Sequence, residues 1–173
     1  MADPLAITIR PLHEAELDAV ERALRFGVPE KHRGRLARQR TGSVLYLIAW
    51  QESFPVGHAL LKLLLPRDDP RQVARPRCPE LEDLLVHPEW RSRGIGSQLL
   101  DAVEQAAQER GYSEIGLSVA VDNAEAQRLY ARRGYVDAGL GVFSLGGAYL
   151  EADGTPRSWT ETCTYLVKRL SKK

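Results

Sequence analysis

Apolar and polar positions along the chain change their period in an ordered way. Ile7 and Ile9 share one face of Leu5 to Arg10, which predicts a first strand. Leu12, Leu17, Val20 and Leu24 then recur at helical spacing, from Pro11 to the neighbourhood of Gly27-Val28-Pro29. A second segment, Pro29 to Gln39, is basic, with Lys31, His32, Arg33, Arg35 and Arg38, and Arg40 follows it. Such a run reads first as a solvated helix face. After a turn at Thr41-Gly42, Val44, Tyr46 and Ile48 alternate with Leu45, Leu47 and Ala49. Ser53-Phe54-Pro55 turns the chain into another strand, from Val56 to Leu65, and the two predict an antiparallel hairpin. From Pro66 to Pro79 there is Arg, Asp and Pro without a period, which predicts a long loop. Loops of that length in a compact domain are usually mobile or functional.

Leu81, Leu84, Leu85 and Val86 form an apolar run of strand length, stopped by His87-Pro88 because proline cannot donate to a ladder. Helical periodicity begins after Gly96, with Leu99, Val103 and Ala106 on one face, and ends at Gly111. Glu114 to Val121 alternates again, with Ile115, Leu117, Val119 and Val121 on the apolar side. Asp122 with Glu125 three residues on predicts a capping box, and Ala126, Leu129 and Tyr130 mark the inner face of a short helix ending at Arg133-Gly134. Tyr135-Val136 begins another strand. Leu140 to Leu150 and Trp159 to Leu170 predict two strands joined at Asp153-Gly154. The order is that of an α/β chain with a mixed sheet, read as one domain over residues 1–173.

Composition narrows the classes. Hydrophobic residues are 43% and charged residues 27%, a globular balance, and a net charge of +1 gives no electrostatic case for nucleic acid or membrane partners. Cys78 and Cys163 form no C-x-x-C pair, so neither zinc nor a disulfide framework is indicated. His13, His32, His58 and His87 have no metal or triad spacing, and no metal is expected. The start, Met1-Ala-Asp-Pro, has no basic or apolar leader region, and no run has transmembrane length, which predicts a soluble cytoplasmic protein.

Chemistry concentrates where the strand ending at Val86 meets the helix after Gly96. The join reads Arg91-Ser92-Arg93-Gly94-Ile95-Gly96-Ser97. A helix start exposes N–H groups that lack intrahelical partners and carries partial positive charge. Gly94 and Gly96 let the backbone approach a ligand, and Arg91 and Arg93 add charge, so the join is built as a phosphate cradle. Neither G-x-x-x-x-G-K-[ST] nor G-x-G-x-x-G is present, which removes the P-loop and the dinucleotide fingerprint. What remains is R-x-x-G-x-G, at Arg91, Gly94 and Gly96. That run resembles the pyrophosphate-binding signature [QR]-x-x-G-x-[GA] of the GNAT family of N-acetyltransferases. N-x-x-A-x-x-L-Y (Asn123, Ala126, Leu129, Tyr130), followed by Gly134-Tyr135, also matches that family. The specific motifs lie within Leu81 to Tyr135, while the order of elements agrees over most of Leu5 to Leu170.

The resemblance implies the acyl-CoA N-acyltransferase fold, a six- to seven-stranded mixed sheet with strands four and five splayed to admit acetyl-CoA. It implies that the cradle holds the diphosphate and that the main chain of Leu85 and Val86 pairs with the pantetheine arm like an added strand. The Val86 amide would face the thioester carbonyl, and Asn123 would contact the pantetheine, with helix capping as its rival role. An alkylamine has a pKa of about 10.4, so reaching its free base near neutrality takes roughly 4–5 kcal/mol. A carboxylate near the acceptor lowers that barrier. Glu82 is the preferred base, since relatives often carry glutamate at this offset, and Asp83 is the fallback; alternation lets only one of them face the pocket easily. The other reading of both is as solvent-facing or salt-bridged carboxylates. Tyr130 is the expected acid for the departing thiolate, and by periodicity alone an aromatic there is core. The resemblance also sets the basic Pro29 to Arg40 segment beside the acceptor, as an alternative to a plain solvated face.

The implied activity is acetyl transfer from acetyl-CoA to a primary amine of a small molecule. The alternatives are a protein N-terminus or lysine as acceptor, or a module that binds acyl-CoA without turnover. The C-terminal strands can pair between subunits, which leaves a homodimer open.

Overall fold

The computed structural model describes residues 6–25 and 30–171. Leu5, the expected start of the first strand, and Gly27-Val28-Pro29, where the first helix was expected to end and the basic segment to begin, lie outside the described residues. The strands are β1 (Ile7–Pro11), β2 (Val44–Gln51), β3 (Phe54–Lys62), β4 (Glu80–Val86), β5 (Glu114–Ala120), β6 (Val136–Leu150) and β7 (Pro156–Arg169). The helices are α1 (Leu17–Ala23), α2 (Lys31–Arg40), α3 (Pro70–Ala74), α4 (Ile95–Glu109) and α5 (Ala124–Arg132). Hydrogen-bonding order is β1-β2-β3-β4-β5-β7-β6. β4–β5 is parallel, whereas β1–β2, β2–β3, β5–β7 and β6–β7 are antiparallel, so the chain is α/β with a seven-stranded mixed sheet. It forms two compact units, Met1–Lys62 with Glu82–Gln105, and Leu63–Leu81 with Ala106–Lys173.

In the first unit, β2 lies between β1 and β3 and is buried on both faces, which is why its alternating pattern contains no polar side. α1 lies against β3 and α2 against β2. Leu12, Leu17, Val20 and Leu24 are all buried, and with Leu36, Tyr46, Ile48, Trp50 and Leu60 they make the core of this unit. The hairpin turn differs from expectation. Gln51 pairs with Phe54, so Glu52-Ser53 makes the turn, with Glu52 at φ 53°. Pro55 is already in the strand, at a register shift where a missing N–H is tolerated.

In the second unit, the segment expected to be a structureless loop contains α3. Asp69 Oδ1 accepts from Arg71 N at 2.9 Å and Pro70 occupies the first turn, a start signal too short to show a period. The Arg71 guanidinium reaches Asp69 at 2.6 Å and Glu80 at 2.5 Å, fastening α3 to the start of β4. The helix after β5 is capped by Asn123 rather than Asp122, since Asn123 Oδ1 accepts from Ala126 N at 3.1 Å. β6 and β7 run longer than expected and pair from Val136↔Val167 to Leu150↔Pro156, with the turn between them near Asp153-Gly154.

Candidate functional site

The last three residues of β4, Leu84, Leu85 and Val86, are apolar yet only half-buried. The parallel register of β4 with β5 consists of Glu80↔Gly116 and Leu81↔Leu117 and ends there. Beyond β4, His87 N donates to Val56 O at 2.8 Å, and His87 Nδ1 accepts from Glu89 N at 3.3 Å, capping a short 3₁₀ turn over Pro88–Trp90. His87 is thus structural. Arg91 folds back, its Nε donating to Val86 O at 3.2 Å, and the Arg93 guanidinium stacks 4.8 Å over the Trp90 ring.

Ser92 at φ 60° and Gly94 at φ 77° place two residues of the loop in the left-handed region, the backbone form that turns amide groups inward on an anion. α4 opens at Ile95, two residues before the periodicity suggests, with Gln98 N bonded to Gly94 O at 3.1 Å. Ile95 itself is buried, so only its main chain faces the loop, and Ser97 is half-buried beside it. The two glycines have different reasons. Gly94 needs its φ, although a side chain would meet nothing within 4 Å. Gly96 has no such φ, and a Cβ there would sit 3.8 Å from Leu84 Cδ2 and Val86 Cγ2, an ordinary contact. Folding does not demand glycine at 96.

The carboxylates before this loop are both paired. Asp83 Oδ2 accepts from Arg35 Nη2 at 2.5 Å and lies 3.6 Å from Lys31 Nζ. Glu82 Oε2 lies 3.5 Å from Arg38 Nη2 and 3.4 Å from Lys62 Nζ. Burial pushes the Asp83 carboxyl up, but His58, Arg35 and Lys31 together outweigh it and hold the group below the usual carboxylate range. Asp83 is thus salt-bridged, with a pKa below the usual carboxylate range.

Sequence reasoning missed the groups behind that pair. Arg35 is only 5% exposed, so the basic segment is not simply a solvated face. Its Nη1 donates to Tyr46 Oη at 3.5 Å and to His58 Nδ1 at 3.4 Å. His32 Nε2 lies 2.6 Å from the Leu24 carbonyl, which can only accept, so that nitrogen carries the proton. His32 Nδ1 then accepts from the Tyr46 hydroxyl at 2.6 Å. Burial lowers the pKa of His32, brings that of His58 down to about 3, and raises that of Tyr46. The result is a buried relay of neutral groups fixing one charged arginine. Two signals were available: Lys31, Arg35 and Arg38 at i, i+4 and i+7, and His58 as the polar residue of an apolar strand.

The second unit holds the other two expected residues. The Asn123 side chain caps α5 through Oδ1, so its capping role is real. Tyr130 is half-buried on α5, its ring 5.6 Å from that of Tyr135 at 63°. No described helix is long and apolar enough to cross a membrane.

Comparison with known proteins gives the family. The sequence model of the Acetyltransferase (GNAT) family matches residues 10–135. Thialysine N-epsilon-acetyltransferase of Bos taurus is 40% identical over 57 residues, 33% of this chain and 34% of that protein, so the match spans about a third of the relative's length. The ribosomal-protein-S18-alanine N-acetyltransferase of Escherichia coli superposes with a TM-score of 0.65 at 20% identity, covering 96% of this chain and 95% of its own. The PaiA N-acetyltransferase of Thermoplasma acidophilum, solved in complex with coenzyme A, gives 0.62 at 18% identity, over 95% and 99%. At those identities the structures speak to the fold, and the sequence match over 10–135 carries the assignment: the chain belongs to the acetyltransferase (GNAT) family.

Proposed function

We propose that the protein transfers the acetyl group of acetyl-CoA to the primary amine of a small molecule. The observation that carries this reading is the half-exposed apolar end of β4 leading into a loop with Ser92 and Gly94 left-handed and Gly96 open to backbone approach. That arrangement fits a ligand with an extended arm and a diphosphate: the main chain of Leu85 and Val86 takes the arm, and the amides from Arg91 to Ser97 take the phosphates. Acetyl-CoA supplies the activated acetyl group as a thioester. The name of the bovine relative supports an amine of a small molecule as acceptor.

The chain's residues then divide the proton work. The Val86 N–H donates to the thioester carbonyl. Arg35 holds Asp83 ionised, and Glu82 is the group that accepts the proton of the acceptor's ammonium ion. As the amine nitrogen bonds to the acetyl carbon the C–S bond breaks, Tyr130 gives its phenolic proton to the thiolate, and the second proton shed by the nitrogen passes through water to restore the phenol. Asn123 donates from its amide nitrogen to the pantetheine arm, since the cap uses only Oδ1.

Calorimetry with acetyl-CoA, followed by thiol release over a panel of amines, tests this. Acetyl-CoA is expected to bind, at least one amine to turn over, and Gly94→Val with Gly96→Val to abolish binding in a protein that remains folded by circular dichroism. Unchanged affinity in that double variant overturns the cradle. Binding without turnover on any small amine or peptide makes the protein an acyl-CoA-binding module instead, and turnover confined to peptides moves the acceptor to proteins.

A further inference from the structure

Among the described residues, four cations approach the carboxylates of Glu82 and Asp83 within 4 Å. Lys31, Arg35 and Arg38 lie along one face of α2, and Lys62 ends β3. Asp83 is met by Lys31 and Arg35, and Glu82 by Arg38 and Lys62, so each of the two carboxylates faces two cations. His32 and His58 share the neighbourhood, but burial keeps both neutral near pH 7.

Within the cluster, exposure separates two roles. The Arg35 side chain is 6% exposed and held on Asp83 at 2.5 Å. Arg38 and Lys62 are 41% and 27% exposed and approach Glu82 at only 3.5 and 3.4 Å. Pairs that long and that wet are weak, so their cations can turn to a stronger partner at little cost. A carboxylate offers an arginine two parallel hydrogen bonds, a stronger arrangement than one contact at 3.5 Å. A bare di- or polyamine would bring only more positive charge to the same place.

We propose that Arg38 and Lys62 bind a carboxylate carried by the acceptor itself, so that the amine acetylated here belongs to an amino-acid-like molecule. The proposal rests on the reading of Glu82 as the acceptor-side base.

Lysine and cadaverine differ only by that carboxylate, and both offer a primary amine on the same chain. Thiol release is expected to show kcat/KM for lysine about tenfold above that for cadaverine, carried mainly by KM and shrinking as salt is raised. The ratio is expected to fall toward one when Arg38→Gln and Lys62→Gln are combined, and to persist in the charge-conserving pair Arg38→Lys and Lys62→Arg. Calorimetry with the same two amines, with and without coenzyme A, reads the preference independently of turnover. Equal or tighter binding of cadaverine, or a ratio that survives the glutamine pair, overturns the proposal. Preferential binding of lysine with no thiol release from either amine leaves the carboxylate site standing and counts against the transferase reading instead.

Discussion

His58 is fully enclosed between Arg35 and the ring of Tyr46, and burial brings its imidazole pKa down to about 3. The unfolded chain takes up that proton near pH 6.5, the folded protein only near pH 3, so between those values the unfolded state binds more protons. Stability therefore falls as the solution is acidified through this window, with a slope approaching about 1.4 kcal/mol per pH unit for each such group. His32, lowered by the same cause, adds to the upper part of the window. Asp83 acts lower: its folded pKa lies below the 3.8 of an ordinary aspartate, so its contribution is lost only under that pH. Thermal unfolding followed from pH 7 to pH 4 is expected to show a falling midpoint in the wild type and a shallower fall in His58→Gln. Parallel curves would mean that His58 is not held neutral. None of this could be read from the spacing of the histidines, because the relay is assembled from α2, β2 and β3, and a search for metal or triad patterns sees only neighbours in sequence.

At the scale of elements, β4 and the loop after it were legible because their signals are local. An apolar run, a proline stop and glycines before a helical period fall within about twenty residues, and the proposed cradle lies in the same stretch. What lay beyond sequence reasoning was tertiary: that Asn123 and not Asp122 supplies the cap, that a five-residue helix sits inside Pro66 to Pro79, and that the basic face of α2 turns toward β4. The contact between β3 and β4 belongs to the same class. A Cβ on Gly57 would come 2.7 Å from the backbone oxygen of Leu85 and 3.4 Å from Val86 Cα, and neither can move without moving β4. Gly57→Ala is therefore expected to cost roughly 1–3 kcal/mol of stability, as an overpacked core does. Because the displaced residues are Leu85 and Val86, acetyl-CoA affinity should weaken as well. Denaturant titration and calorimetry on the same variant check both. Lost stability with full affinity would count against a role for Leu85 and Val86 in holding the ligand.

For the molecule as a whole, the net charge of +1 leaves binding to local arrangement rather than to a global field. A ligand held by the native chain and not by the unfolded one raises stability by mass action, about 2.7 kcal/mol at a hundred times its dissociation constant. For a chain of this size each kcal/mol moves the midpoint by about 2–4 °C, so saturating acetyl-CoA should raise it by roughly 5–11 °C. The comparison that gives the number meaning is acetyl-pantetheine at the same concentration. It keeps the thioester and the arm that Leu85 and Val86 would pair with, but lacks the diphosphate. If amides between Arg91 and Ser97 supply the grip, acetyl-pantetheine should shift the midpoint by only a small fraction of that amount, and Gly94→Val should reduce the acetyl-CoA shift to the same small value. Equal shifts from the two ligands would place the binding energy in the arm and leave the left-handed Ser92 and Gly94 without a functional reason.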